Sequence, residues 1–145
     1  MAEMIPEGQG SLRVIKIADP GVGLDFQHAQ EANVRWRIMS LSCTFTASGN
    51  AATREINLDI VDGGNVVLRL HIRNAVIAGE TWSINFYVAG INPALAAGRV
   101  IAGCLPEKLL INGGKTITSY TTAIDAGDQY SGIYMMVEEW IEPLA

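Results

Sequence analysis

The chain has 145 residues, 49% of them hydrophobic and 17% charged, with a formal net charge of −5 and an isoelectric point near 4.9. Its charged share lies below the usual ~25%, so an intrinsically disordered chain is excluded, and the acidic balance excludes a basic nucleic-acid-binding module. The length suits one domain, and an excess of apolar over charged residues on so small a body implies that other subunits cover part of its surface.

Residues 1–10 contain Pro6, Gly8 and Gly10 and no periodicity, which predicts a flexible N-terminal arm before a single domain at 11–145. The arm has neither a basic n-region nor an apolar h-region, so it does not read as a signal peptide, and synthesis in the cytoplasm is expected. A strand is expected at 12–18. Residues 26–33 fit a helical turn and an extended run equally. Between 34 and 47 the apolar parity changes: Val34, Trp36 and Ile38 share one face, while Met39, Leu41, Cys43 and Phe45 share the other. Such a strand contains a β-bulge or bends between two sheets.

Ile56, Leu58 and Ile60 alternate with Glu55, Asn57 and Asp59, and Val66, Leu68, Leu70 and Ile72 alternate with Val67, Arg69, His71 and Arg73. Asp62-Gly63-Gly64-Asn65 between the two runs predicts a hairpin, because both glycines accept positive φ. Trp82, Ile84, Phe86 and Val88 form one face of a further strand, where each buried side chain stabilises by about 1.5–3 kcal/mol. Residues 81–98 carry no formal charge, yet Asn85, Asn92 and Pro93 interrupt them, so no membrane span is expected. Asn92-Pro93-Ala94-Leu95-Ala96-Ala97-Gly98 predicts one or two helical turns. Strands follow at 107–111, 116–123 and 130–141, joined by turns at Asn112-Gly113-Gly114 and Asp125-Ala126-Gly127-Asp128. Many short strands divided by Gly, Asn and Asp predict an all-β, antiparallel sandwich of jelly-roll type.

Motifs that would carry chemistry are incomplete. Gly113-Gly114-Lys115-Thr116 has Leu109 where a phosphate-binding loop needs Gly, and a strand follows it instead of a helix. Gly21-Val22-Gly23 has Phe26 in place of the third glycine of a dinucleotide fingerprint. His28 and His71 belong to no His-x-His pair of the kind used by cupin metal sites. Cys43 and Cys104 match no metal or redox spacing and are expected to be small buried hydrophobes rather than a disulfide. Glu138 and Glu139 point to opposite faces of a strand, so they do not form an acid/base pair. Neither a catalytic residue nor a metal or cofactor is expected, and the chain reads as a non-enzyme. Asp125, Tyr130 and Gly132 loosely echo the segment of trimeric deoxyuridine triphosphatases, but Tyr130 is two residues too far along and Ile133 replaces the Glu. Asp125 and Asp128 therefore read as turn formers. Arg69, His71 and Arg73 make a basic stripe, either balanced by acidic residues opposite or docking onto an acidic partner.

The chain resembles small tailed-bacteriophage virion proteins of the β-sandwich type. The residues that carry this are Asn33-Val34-Arg35-Trp36-Arg37-Ile38, Arg54 with Ile56-Asn57-Leu58-Asp59-Ile60, Leu105-Pro106 before Leu109-Leu110, Gly113-Gly114, and Gly127-Asp128 opening a strand that ends in Glu139-Trp140. Glu31-Ala32-Asn33 stands where that family usually has Pro-x-Gly. The resemblance implies a capsid cement or decoration protein, often a homotrimer, on the capsid surface of a virion, with the major capsid protein as partner and neither nucleic acid nor membrane bound. Head-fibre or tail proteins with a carbohydrate- or receptor-binding role look similar, and Tyr87, Tyr120, Tyr130 and Tyr134 are the aromatic residues such a role would use. Interfaces are expected at Met4, Ile5, Arg35, Arg37, Arg69, His71, Arg73, Tyr87 and Trp140, because Arg, Tyr and Trp are enriched among binding hot spots.

Overall fold

In a computed structural model, residues 10–88 and 100–141 are described, with the backbone alone at residues 73 and 74. Met4, Ile5, the side chain of Arg73 and the expected helical turn at 92–98 therefore lie outside the described residues. Ten strands form an all-β sandwich: β1 (Ser11–Ile17), β2 (Gln27–Ala29), β3 (Val34–Thr46), β4 (Arg54–Asp62), β5 (Asn65–Val76), β6 (Thr81–Val88), β7 (Val100–Leu105), β8 (Leu110–Ile111), β9 (Thr116–Thr121) and β10 (Gln129–Ile141). Sheet A runs β1-β10-β3-β6-β7, with β8 paired to β3, and sheet B runs β2-β9-β4-β5.

The pairing is nested. β1 pairs with β10, β2 with β9, β3 with β6 and β4 with β5, all antiparallel, and successive pairs fall alternately in the two sheets. The turns at Asn112-Gly113-Gly114 and Asp125–Asp128 are consequently not hairpins: each carries the chain from one sheet to the other. Gly113 sits there because a Cβ would collide with the Ala32 carbonyl.

Core residues come from the alternating faces. Trp36, Ile38, Leu41 and Phe45 of β3 meet Ile56, Leu58 and Ile60 of β4 and Ile117 of β9, all 3% exposed or less. The parity change in β3 is a bulge: Met136 faces Ser40 and Val137 faces Ile38, which leaves Met39 unopposed. A second bulge in β10 lies between Ser131 and Tyr134, where Gly132 takes φ 58°. Gly63 and Gly64 turn the β4–β5 hairpin at φ 56° and 84°, as their sequence requires.

Several expectations are corrected or completed. β7 was not read as a strand; it pairs in parallel with β6, the sole parallel pair among the described residues, and its Gly103 packs on Phe86, whose ring would lie 3.0 Å from an added Cβ. Residues 26–33 resolve as the short β2, and the strand expected at 107–111 is confined to Leu110–Ile111. Val66 is exposed rather than core, because a register shift between Ile60 and Val61 leaves Val67 unopposed at the hairpin tip. Cys43 is buried, which pushes its thiol up to about 12, but Cys104 is exposed on the outer side of β7, and both are free.

Candidate interaction surface

The outer face of sheet A is formed where β1 and β10 run side by side. Leu12 stands opposite Glu138, Val14 opposite Met136 and Lys16 opposite Tyr134. Leu12 is 71% exposed, Val14 69% and Tyr134 44%. Alternation dictates this: Ile15 and Ile17 take the inward positions of β1, so Leu12, Val14 and Lys16 must face out. β1 is also the edge of its sheet. An apolar, unbroken edge strand is a template for further association.

At the lower margin of this face the expected interface residues gather. Arg37 bonds the Glu138 carboxylate and lies over the Trp140 ring with 5.9 Å between its guanidinium carbon and the centroid. Glu138 also accepts from the Gly10 amide at 3.3 Å. The Arg37 Nε and Trp140 Nε1 are buried donors with no acceptor among the described residues. Arg35, expected on an exposed face, is buried at 8% exposure, and stands opposite Trp140 of β10. Glu139 points inward, as its parity demands, and accepts from Trp36 Nε1 at 2.8 Å and Arg13 Nη1 at 2.8 Å. Burial pushes its pKa up, but those two donors outweigh it and hold the value below the ordinary one. Tyr87 is half-buried opposite Ser40.

On the outer face of sheet B, Arg69 and His71 of the basic stripe are already matched. Arg69 binds Asp59 in a fork, Nε to Oδ1 at 2.8 Å and Nη2 to Oδ2 at 2.7 Å, and its guanidinium stacks 4.3 Å over the Tyr120 ring. The hydrogen bond to Asp59 raises the Arg69 pKa. His71 Nδ1 meets Asn57 Oδ1 at 2.6 Å, and Asn57 Nδ2 donates to the Tyr120 carbonyl at 3.1 Å. The cross-strand register, Asp59 with Arg69 and Asn57 with His71, produces both contacts. Asp59 and Asn57 are thereby buried on what the alternation marked as a solvent face.

The most enclosed polar group lies elsewhere, and sequence reasoning passed over it. Arg54 and Asp128 are both fully buried, joined Nε to Oδ2 and Nη2 to Oδ1 at 3.0 Å each. Arg54 also donates to the Ala52 and Asn50 carbonyls and to Ser48 Oγ. Asp128 accepts the Ser48 and Asp125 amides at 2.8 Å, while Asp125 accepts Ser48 Oγ, Asn50 Nδ2 and the Gly127 amide. The Gly127 amide, then Ser48 and Asn50, hold Asp125 below the usual carboxylate range. For Asp128 burial acts upward, but Arg54 and the two amides outweigh it and the pKa is lowered. The group is a clamp between the β3–β4 loop and the β9–β10 crossover, with each side-chain nitrogen of Arg54 matched to an acceptor. Asp125 and Asp128 are turn formers, as read, with Arg54 added. The available sign was a single arginine opening an apolar strand together with an Asp-x-x-Asp turn, a pattern too common to pair by inspection.

Asp25, Ser119, Thr121 and Tyr130 form a second internal chain: both hydroxyls of Ser119 and Thr121 donate to Asp25 Oδ1 at 2.7 Å, and Thr121 meets the Tyr130 hydroxyl. Tyr130 is fully buried against Phe26 and Phe45, which raises its pKa and removes it from any surface platform. His28 stacks on Trp36 at 5.8 Å, and burial lowers its pKa. Among the described residues, no three His, Cys, Asp or Glu side chains are grouped to hold a metal ion, and no helix is long and apolar enough to cross a membrane.

Comparison of the chain with protein-family models, with curated proteins and with solved structures gives no match.

Proposed function

We propose that the chain is a non-enzymatic structural part of a tailed-bacteriophage virion, a capsid cement or decoration protein that binds where major capsid subunits meet. The observation that carries this reading is the exposed apolar margin of β1 and β10, with Leu12, Val14 and Tyr134 on the outer face beside the sheet edge. A second support comes from strand order. Without β7 and β8, the sheets run β1-β10-β3-β6 and β2-β9-β4-β5, the nested order of a jelly roll, an architecture of viral capsid and lectin domains.

The mechanism is linkage. A protein that binds the assembled shell and not its free subunits stabilises the shell by its binding free energy, and repetition over symmetry-related sites multiplies the effect. A homotrimer serves this role, since each copy then contributes one apolar margin. The internal polar groups are spent on each other, which favours a rigid part over a reactive one. The glycan-binding reading is less favoured: the two exposed tyrosines, Tyr120 and Tyr134, already carry Arg69 and Lys16 over their rings.

Sedimentation tests the proposal. The protein is expected to associate at micromolar concentration and to co-sediment with shells of the major capsid protein. Leu12→Gln with Val14→Thr should leave the fold intact and weaken shell binding by about tenfold or more. A wild-type protein that stays monomeric and fails to co-sediment overturns the reading.

A further inference from the structure

At the Arg54–Asp128 end of the sandwich, the link from β1 to β2 carries Val22 and Leu24, 60% and 59% exposed. The loop that presents this knob is pinned. The Gly23 amide donates to the Asp128 carbonyl at 2.7 Å, the Leu24 amide to the Gly21 carbonyl at 3.2 Å, and Gln129 Nε2 to the Pro20 carbonyl at 3.1 Å. Gly23 takes φ 76° and rests on the Ala126 backbone, where an added Cβ would lie 2.9 Å away. Two aliphatic side chains are thus held out in water on a loop that is already ordered, so burying them costs little further entropy.

At the opposite end, where the β4–β5 hairpin turns, the two sheets part around an apolar recess of about 310 Å³, lined by Ile60, Val67, Leu68, Leu109, Leu110 and Ile111, with Lys115 at its rim. That volume is at the small end of ligand pockets, room for a pair of aliphatic side chains. Charge agrees with size. Val22 and Leu24 lie between two carboxylates: Asp25 accepts from Ser119 and Thr121, while Asp19 is exposed, its Oδ1 bonded to the Gly132 amide at 3.1 Å. The partner of Lys115 is Asp62, a half-exposed carboxylate 3.5 Å away. Between the two ends β4 alone runs from Arg54 to Ile60, about 20 Å of extended chain. The knob therefore does not reach the recess of its own chain.

We propose that Val22 and Leu24 seat in the recess of a second copy, with Asp19 meeting Lys115 across the contact, so that copies associate head to tail. Knob and recess are different surfaces at opposite ends, so the contact is heterologous and repeats along the sandwich. It stands apart from the margin of β1 and β10 and does not rest on the virion reading.

Complementation in solution tests it. A knob variant, Val22→Ser with Leu24→Asp, and a recess variant, Val67→Glu, alter exposed positions and should melt as the wild type does. In sedimentation velocity at micromolar concentration the wild type is expected to associate, and each variant alone to self-associate about tenfold more weakly or worse. An equimolar mixture of the two should give a one-to-one dimer and no larger species, because one chain keeps its recess and the other its knob. Leu12→Gln with Val14→Thr should leave this association unchanged. A monomeric wild type, variants that associate as the wild type does, or a mixture that stays monomeric overturns the proposal. Association abolished by Leu12→Gln with Val14→Thr also overturns it, since the contact would then lie on β1.

Discussion

Where β3 passes to β4 and β9 to β10, the sandwich ends in Arg54 and Asp128, both fully buried and each hydrogen-bonded to several partners; at the opposite end, where the β4–β5 hairpin turns, it ends in Val66 and Val67 half in solvent and a recess guarded by one loose Lys115–Asp62 pair. The difference lies in what each end must do. Two long crossovers meet at the first, and their backbone groups need partners once they are packed together. A two-residue turn needs none beyond its own ladder, so the hairpin tip itself is left to apolar contacts.

The largest expected effect comes from opening the clamp. Asp128→Ala leaves the Arg54 guanidinium buried without its carboxylate, and urea unfolding should show a loss of about 3–5 kcal/mol. A loss below about 1 kcal/mol would mean that the carbonyls of Ala52 and Asn50 alone hold Arg54.

Steric crowding comes next. Gly113→Ala should cost about 1–3 kcal/mol, since its Cβ would press on the Ala32 carbonyl. This sharpens the contrast, because it predicts that the open end is tight in its loop backbone and loose only in its side chains. An unchanged urea midpoint would show that the 31–32 backbone moves aside.

Acid titration probes carboxylates at both ends. Asp125, Asp128 and Glu139 all have folded pKa values below their ordinary ones. Their contribution is therefore complete above the unfolded values, about pH 4–4.5, and is lost as pH falls through the lower folded ones. The urea midpoint should begin to fall below about pH 6.5, where unfolded His28 takes up a proton that the half-buried imidazole resists, and fall further below about pH 4.5 as the carboxylates protonate, and Asp125→Asn should make that second drop shallower. An acid limb identical in the variant removes Asp125 from the account.

The smallest effect belongs to the hairpin tip. Val67→Ser should shift stability by no more than about 0.5 kcal/mol, because Val67 is 59% exposed and unopposed.

Period-two alternation made most of the fold legible: it located β1, β3, β4, β5, β6, β9 and β10, the bulge in β3 and the Gly63-Gly64 turn. It missed β7, whose Ala102, Gly103 and Cys104 lack the bulky alternation of a strand, and whose parallel partner is set by topology. It placed the Asn112-Gly113-Gly114 and Asp125–Asp128 turns but not the change of sheet at each, since a turn signal says that the chain reverses and not which sheet receives it. Surface residues were harder. Alternation marked Asp59 and Asn57 as outward, but the pairing with Arg69 and His71 that buries them depends on register. Arg35 keeps the outward parity expected of it, but register sets it opposite Trp140 and it is buried. The apolar margin of Leu12 and Val14 was within reach, since Ile15 and Ile17 already claimed the inner face of β1.

The claim that the protein strengthens a shell is tested most directly by the rupture temperature of capsids measured with and without it. The account predicts a higher rupture temperature when the wild-type chain is bound, and little gain when Leu12→Gln with Val14→Thr replaces it. Equal rupture temperatures for bare shells and shells saturated with the wild-type protein would contradict it.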